Sequence, residues 1–178
     1  MLNSVVAAQG GHRFIYRSWE VETTGNELAH TILRGAVNKH GEAIPNYHYE
    51  DLRLLWEKYQ EKNLKNPAVI VDTNHSNSNK QYDQQVRIAK EVLHSRQVDP
   101  ELHTLVKGLM IESYIEPGNQ KIGCDHIYGN LLPIHVLDGK NPNVFCIQLP
   151  RCVDPFIVYK QHSILSDQMD RCNYIICK

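Results

Sequence analysis

The chain of 178 residues holds no C-x-x-C pair, no long apolar run and no excess of either charge. Each absence excludes a class of protein. Lys and Arg number 19 against 20 Asp and Glu, for a net charge of −1, so nothing electrostatic selects nucleic acid or an anionic membrane surface as a partner. The longest apolar runs are a handful of residues, far short of the ~20 that a membrane helix needs. The opening M-L-N-S-V-V-A-A-Q-G-G lacks the basic n-region and long apolar core of a signal peptide. A soluble cytoplasmic protein is the expectation, and the length suits one domain or a piece of a larger one. Of five cysteines only Cys124 lies in the first 130 residues, while Cys146, Cys152, Cys172 and Cys177 follow. An odd count without paired spacing gives neither a disulfide framework nor a zinc or redox site. The crowding marks a change of composition near residue 130.

What is present is organised around P-A-V-I-V-D-T-N-H-S-N-S-N-K at 67–80. Ala68 to Val71 are small or β-branched and apolar, the pattern of a strand covered on both faces. The run stops at Asp72, with His75 three residues later among Thr, Asn and Ser. Those residue types cap helices rather than fill them. The spacing therefore predicts a helix from Ser76 or Ser78 that carries Tyr82, Val86, Ala89 and Leu93. A buried strand thus delivers an Asp and a His to its carboxyl end, the rim where parallel α/β folds bind ligands. His75 equally suits a helix cap or a bond to a backbone carbonyl.

Other elements follow in order. Residues 2–9 predict a helix stopped at Gly10 and Gly11. The short β-prone runs at 12–16 and 20–24 predict a hairpin outside the main core. L-A-H-T-I-L at 28–33 is a second buried strand, ending in Arg34 and Gly35; a polar loop follows to Tyr47. At 49–59, Leu52, Leu55, Trp56 and Tyr59 recur at helical spacing. After a turn at Asp99 and Pro100, G-L-M-I-E-S at 108–113 is a third strand with Glu112 at its carboxyl end, and 116–120 reads as a turn. Three strands at roughly forty-residue intervals, with helical stretches between, are the rhythm of β/α units in a barrel or doubly wound sheet.

Each strand ends in one polar group able to work: Arg34, His75 and Glu112. An imidazole and a carboxylate on neighbouring strands suit a divalent transition metal, of the Mn, Fe, Co or Zn type rather than Ca. A catalytic metal normally takes three or more protein ligands, so these two make an incomplete set. The Arg34 guanidinium matches a phosphate or carboxylate, whose two oxygens meet its donor fork. Arg34 and Glu112 could instead pair with each other. The set points to a metal-assisted reaction on a phosphorylated, anionic substrate.

I-L-R-G at 32–35, D-T-N-H-S-N-S-N-K at 72–80 and G-L-M-I-E-S-Y-I-E-P-G-N-Q at 108–120 together resemble the C-terminal half of the metal-dependent class I 3-deoxy-D-arabino-heptulosonate-7-phosphate (DAHP) synthases. The resemblance covers about residues 2–130. It implies a transferase on part of a (β/α)8 barrel, about the last three strands. It also implies condensation of phosphoenolpyruvate with erythrose 4-phosphate, the entry step of the shikimate pathway to aromatic amino acids, in a homo-oligomer when full-length. By position Arg34 then matches the arginine that binds the phosphate of phosphoenolpyruvate, His75 a metal-binding and catalytic histidine, and Glu112 a metal-binding glutamate. The family's metal-binding cysteine, its Lys-Pro-Arg sugar-phosphate motif and further phosphate-binding residues have no counterpart in this sequence.

Past Gly129 the resemblance breaks. The family continues with Lys and then S-I-T-D-P-C-L-G-W-E, whose Asp is a fourth metal ligand, whereas this chain reads Asn130 and then L-L-P-I-H-V-L-D-G-K. Writing the family peptide as TCT-ATT-ACC-GAT-CCA-TGT-CTT-GGA-TGG-GAA-G and reading one base later gives CTA-TTA-CCG-ATC-CAT-GTC-TTG-GAT-GGG-AAG. That translates as the observed ten residues, and loss of one base from the Lys codon gives Asn130. Residues 1–130 are therefore expected to be the family portion and 131–178 out-of-frame translation, which also explains the cysteine crowding. The apolar runs at 144–149 and 156–159 could form strands or pair with an open sheet edge. A second reading makes the chain a decayed-gene product with at most weak phosphate or partner binding.

Overall fold

The computed structural model describes residues 1–114, residues 116, 117, 120 and 128, and the backbone of strands at 137–138, 156–161 and 174–177. The expected turn at 116–120 lies largely outside these residues, as do Cys124 and the run at 144–149. Helix α1 (Leu2–Gln9) ends at Gly10. Strands β1 (Arg13–Tyr16) and β2 (Trp19–Glu22) pair antiparallel across Arg17 and Ser18, which have φ of 47° and 66°. Two successive positive φ values match the right-handed twist of a two-residue hairpin. Ile15 and Trp19 are 71% and 75% exposed, so this hairpin lies outside the main core, as its sequence predicts.

The main sheet begins with β3 (Thr31–Leu33), shorter than the predicted strand at 28–33. The reason is Asn26: its side chain accepts from the N–H of Leu28 and its carbonyl from that of Ala29, which holds those residues in a turn. The segment predicted as a plain loop folds as a small hairpin, β4 (Ala36–Val37) with β5 (Ala43–Ile44). Helix α2 (Tyr49–Glu61) buries Leu52, Leu55 and Tyr59 and packs the half-buried Trp56 beside them. The Tyr59 hydroxyl donates to the Ala68 carbonyl at 2.8 Å and bonds the Thr31 hydroxyl at 3.2 Å, tying the starts of two strands together.

Strand β6 (Val69–Asp72) is buried throughout and lies parallel to β3. Helix α3 (Gln84–Val98) starts later than Ser76 or Ser78. His75, Asn79 and Lys80 all take positive φ, which interrupts any helical run. The buried Asn74, Asn77 and Ser78 bond the strand ends and one another instead of capping a helix. The inner face of α3 is consequently Gln85, Ile88, Ala89, Val92 and Leu93, with Tyr82 and Val86 only partly buried.

The turn at Asp99 opens a further short helix, α4 (Pro100–Leu105), with Asp99 accepting from the N–H groups of Glu101 and Leu102. Burial opposes ionisation of Asp99, but the Tyr49 hydroxyl, these two N–H groups and Arg53 outweigh it and hold the carboxyl below its ordinary value. A depressed carboxyl favours folding above its unfolded pKa and stops doing so as pH falls through the folded one. Asp99→Ala should therefore cost about 0.5–2 kcal/mol at neutral pH, and the deficit in urea midpoint should shrink below about pH 4. A deficit unchanged at pH 3 would remove the charge from this account.

Strand β7 (Val106–Tyr114) lies parallel to β6, with a bulge at Lys107. Among the described residues the sheet order is β3-β6-β7-β9-β10, where β9 is Phe156–Gln161 and β10 is Tyr174–Cys177. Strand β9 runs parallel to β7, and β8 (Leu137–Asp138) joins the far end of β7 at Ser113 and Tyr114. The backbone of the apolar run at 156–159 thus pairs with a strand edge. No helix among the described residues is long and apolar enough to cross a membrane.

Register and alternation then divide the sheet. Leu33 lies opposite Val71, and Val71 opposite Leu109; these residues, with Val69 and Ile111, belong to the core under the helices. Ile32, Ile70 and Met110 take the other face. Ile32 is 42% exposed there. Arg34, Asp72 and Glu112 continue this second face beyond the strand ends, so the polar groups gather on the side that the helices leave open.

Candidate metal centre

Three parallel strands end side by side, and their last residues meet. Asp72 and Glu112 are only 1% and 3% exposed, and His75 is half-buried above them. One ligand atom from each of Asp72, His75 and Glu112 lies within 4.8 Å of the others, a triad that could hold a metal ion. His75 Nδ1 lies 2.8 Å from Asp72 Oδ2. The other Asp72 oxygen accepts from the Asn74 N–H at 2.8 Å. With Nδ1–H donating to Asp72, the lone pair of His75 resides on Nε2. That atom faces Glu112 Oε1 at 3.8 Å.

This arrangement assigns different tasks to the two carboxylates. Both oxygens of Asp72 are engaged by protein donors, so Asp72 fixes the imidazole tautomer and orientation, as carboxylates beside metal-bound histidines do. Glu112 and His75 Nε2 are the pair with free lone pairs turned toward one space. His75 has a φ of 49°, a left-handed conformation that costs on the order of 1–2 kcal/mol for a residue with a Cβ. The Lys80 N–H bonding its carbonyl at 2.8 Å helps hold it, and the bend turns the imidazole back toward Asp72.

Burial pushes the Glu112 carboxyl above its ordinary value; the Asn74 amide, His75 and Arg34 pull it down, and Asp72 pushes it up. A buried carboxyl with a raised pKa is held ready for a proton or a cation. Loading with a cation releases the proton, so affinity falls as pH is lowered.

Arg34 Nε lies 3.9 Å from Asp72 Oδ2, with the side chain 57% exposed. The alternative pairing of Arg34 with Glu112 is not the one formed; its ion-pair partner is Asp72. Its neighbour Gly35 has φ of +73°, and a Cβ there would come within 2.7 Å of the Ser76 Cβ and 2.9 Å of the Asn77 nitrogen. The Gly35 N–H donates to Asn46 Oδ1, and the Asn46 backbone N–H donates to Asn77 Oδ1. The Asn77 amide in turn donates to the carbonyls of Leu33 and Asp72 at 3.1 and 2.7 Å. These bonds fix the spacing between the strand that carries Arg34 and the strand that carries Asp72.

The structure therefore brings together all three residues that sequence reasoning selected, Arg34, His75 and Glu112. The orienting role of Asp72 was missed, although the D-x-x-H spacing was a signal for it. Asn46, Asn74 and Asn77 were also missed, because a loop asparagine carries no mark of which distant carbonyl it meets.

Parallel strands whose carboxyl ends gather an imidazole, two carboxylates and a guanidinium define an α/β protein with a candidate metal centre at the strand ends. Comparison with known proteins places it further: the chain belongs to the DAHP synthetase I family, whose model matches residues 3–131. It is 33% identical over 135 residues to the Trp-sensitive phospho-2-dehydro-3-deoxyheptonate aldolase of Enterobacter agglomerans, covering 72% of this chain and 36% of that protein. It is 37% identical over 124 residues to the Tyr-sensitive enzyme of Escherichia coli, covering 67% of this chain and 32% of that one. A longer alignment to the Trp-sensitive enzyme of Salmonella typhimurium has 27% identity over 160 residues and covers 86% of this chain and 43% of that one. The chain thus spans about a third to a half of the curated relatives it matches. The solved phospho-2-dehydro-3-deoxyheptonate aldolase of Francisella tularensis shares the fold, with a TM-score of 0.67 at 23% identity over 85% of this chain and 45% of that one.

Proposed function

We propose that this chain carries the metal-binding and phosphoenolpyruvate-phosphate-binding rim of a DAHP synthase, a transferase that joins phosphoenolpyruvate to erythrose 4-phosphate. The observation that carries the reading is the free lone pair of His75 Nε2 facing Glu112 Oε1 at 3.8 Å, with Asp72 engaging Nδ1. Two lone-pair atoms so placed suit a shared cation, and their nitrogen and oxygen character suits Mn, Fe, Co or Zn. Such an ion, when bound, supplies Lewis-acid polarisation of a carbonyl oxygen. His75 and Glu112 would hold it, with Asp72 fixing the imidazole through Nδ1. The exposed Arg34 guanidinium holds the phosphate of phosphoenolpyruvate at the same rim, so that the enol carbon is presented beside the metal centre.

The sheet face bearing Ile32, Ile70 and Met110, opposite the helices, is, on this reading, part of the interior of a (β/α)8 barrel. The likeness to family structures supports it. Two metal donors and one guanidinium are too few to position two anionic substrates, so the remaining donors come from outside the described residues. On this reading the 178-residue chain alone is non-catalytic, because the cysteine and the Lys-Pro-Arg motif that the resemblance calls for have no counterpart in its sequence. Residues 131–178 are out-of-frame translation on this reading. In support, the family match ends at residue 131, and the longer alignment is less identical than the shorter ones. Sequencing the coding DNA across codon 130 tests it, and an uninterrupted frame shared with close relatives would refute it.

The functional test is binding of phosphoenolpyruvate to the Co2+-loaded chain by calorimetry. Arg34→Ala should weaken it at least about tenfold while leaving Co2+ affinity unchanged, since a charged, bidentate phosphate contact is lost. Equal phosphoenolpyruvate affinity in both proteins would sink the assignment of Arg34. Phosphate release that depends on erythrose 4-phosphate, at any measurable rate from this chain, would sink its non-catalytic status.

A further inference from the structure

Strand β7 runs on past the point where its neighbour stops. Strand β6 ends at Asp72, opposite Met110, and the Thr73 N–H makes the last ladder bond, to the Met110 carbonyl at 3.0 Å. The chain then leaves the sheet through the left-handed His75. Two residues further along β7, Glu112 needs partners on this side for a buried N–H and carbonyl, and a strand no longer provides them.

A side chain does. Gln85, in the first turn of α3 and fully buried, accepts from the Glu112 N–H at 2.9 Å and donates to the Glu112 carbonyl at 3.0 Å. A carboxamide has the donor and acceptor of a peptide unit, so Gln85 continues the ladder as a one-residue substitute for the absent strand. Thr73, the last residue to pair from the β6 side, shares its hydroxyl proton between Gln85 Oε1 at 3.1 Å and the Met110 carbonyl at 2.9 Å. The amide is thereby locked to both strands.

Its neighbours on the inner face of α3 are Ile88, Ala89 and Val92, where leucine or methionine would pack without the cost of burying an amide. What the glutamine provides instead is a fixed backbone at Glu112, the residue whose carboxylate faces His75. We infer that Gln85 is a positioning residue for the metal centre, holding the backbone of Glu112 so that its carboxylate meets His75 Nε2. This inference rests on the metal-centre reading above; the contact itself does not.

The test uses the 178-residue chain and its Gln85→Met variant, which keeps length and removes both bonds to Glu112 along with the one from Thr73. Three measurements are made: unfolding of the metal-free proteins, exchange of the Glu112 amide hydrogen by NMR, and Co2+ titration followed by visible absorption. The variant should unfold cooperatively, exchange the Glu112 amide at least about tenfold faster, and bind Co2+ about 10–100-fold more weakly, as loss of an outer support does at metal sites. Gln85→Glu, whose protonated carboxyl offers the same donor and acceptor, should approach the parent's affinity as both are compared at successively lower pH. A folded Gln85→Met chain with the parent's Co2+ affinity overturns the inference. If methionine prevents folding, Gln85→Asn, one methylene too short to reach, takes its place with the same outcomes. A parent that binds no Co2+ overturns the metal reading, and the positioning of Glu112 is then decided by amide exchange alone, unchanged exchange refuting it.

Discussion

His75→Ala should lower Co2+ affinity of the 178-residue chain by about 100-fold or more, since removing even an orienting partner of a metal ligand costs about 10–100-fold. His75 is the nitrogen donor of the triad, and its loss leaves the buried Glu112 and Asp72 without the imidazole between them. Asp72→Asn should cost less, because an amide oxygen still accepts from Nδ1–H although its charge is gone. Glu112→Gln should bind metal as poorly as His75→Ala yet make the metal-free protein more stable at pH 8. The sign follows from the raised pKa of Glu112: such a group favours folding below its unfolded pKa and opposes it as pH rises through the folded one. Calorimetric titration with chemical denaturation measures both effects. Parent-like affinity in His75→Ala would remove this residue from the centre, and a Glu112→Gln chain no more stable at pH 8 would remove the burial cost.

The second large effect is expected at Gly35. Gly35→Ala places a methyl group 2.7 Å from the Ser76 Cβ and 2.9 Å from both the Asn77 nitrogen and the Ile44 carbonyl oxygen, at a φ of +73°. The left-handed conformation costs about 1–2 kcal/mol, and overpacking against this segment adds about 1–3 kcal/mol. Two of the atoms struck belong to the loop that carries His75 and Asn77, and the third to strand β5. Metal affinity should consequently fall along with the unfolding midpoint. A midpoint shift under 1 kcal/mol would show that the loop yields freely, and the proposed clasp between the two strand ends would fail with it.

These effects show where the sequence is legible. Ala68 to Val71 are apolar because the strand is covered on both sides, and a four-residue apolar run has few other homes. Leu52, Leu55 and Tyr59 mark α2 because helical period puts them on one buried face. Parallel strands separated by helices must end on the same side, so Arg34, His75 and Glu112 could be placed at one rim from order alone. The start of α3 could not. Residues 74–79 contain cap-forming types at five of six positions, and only the bonds from Asn77 to Leu33 and Asp72 make a loop better than an early helix turn.

Local chemistry thus determined the buried strands, the α2 helix and the three polar residues at the strand ends, because period and composition act within a few residues. Tertiary structure alone decided that Gln85 completes the ladder at Glu112 and that Gly35 has no room for a methyl group. Each of those depends on a partner from another strand or loop, up to 42 residues away in the case of Gly35 and Asn77. A donor or acceptor in sequence does not specify which distant backbone group it will meet.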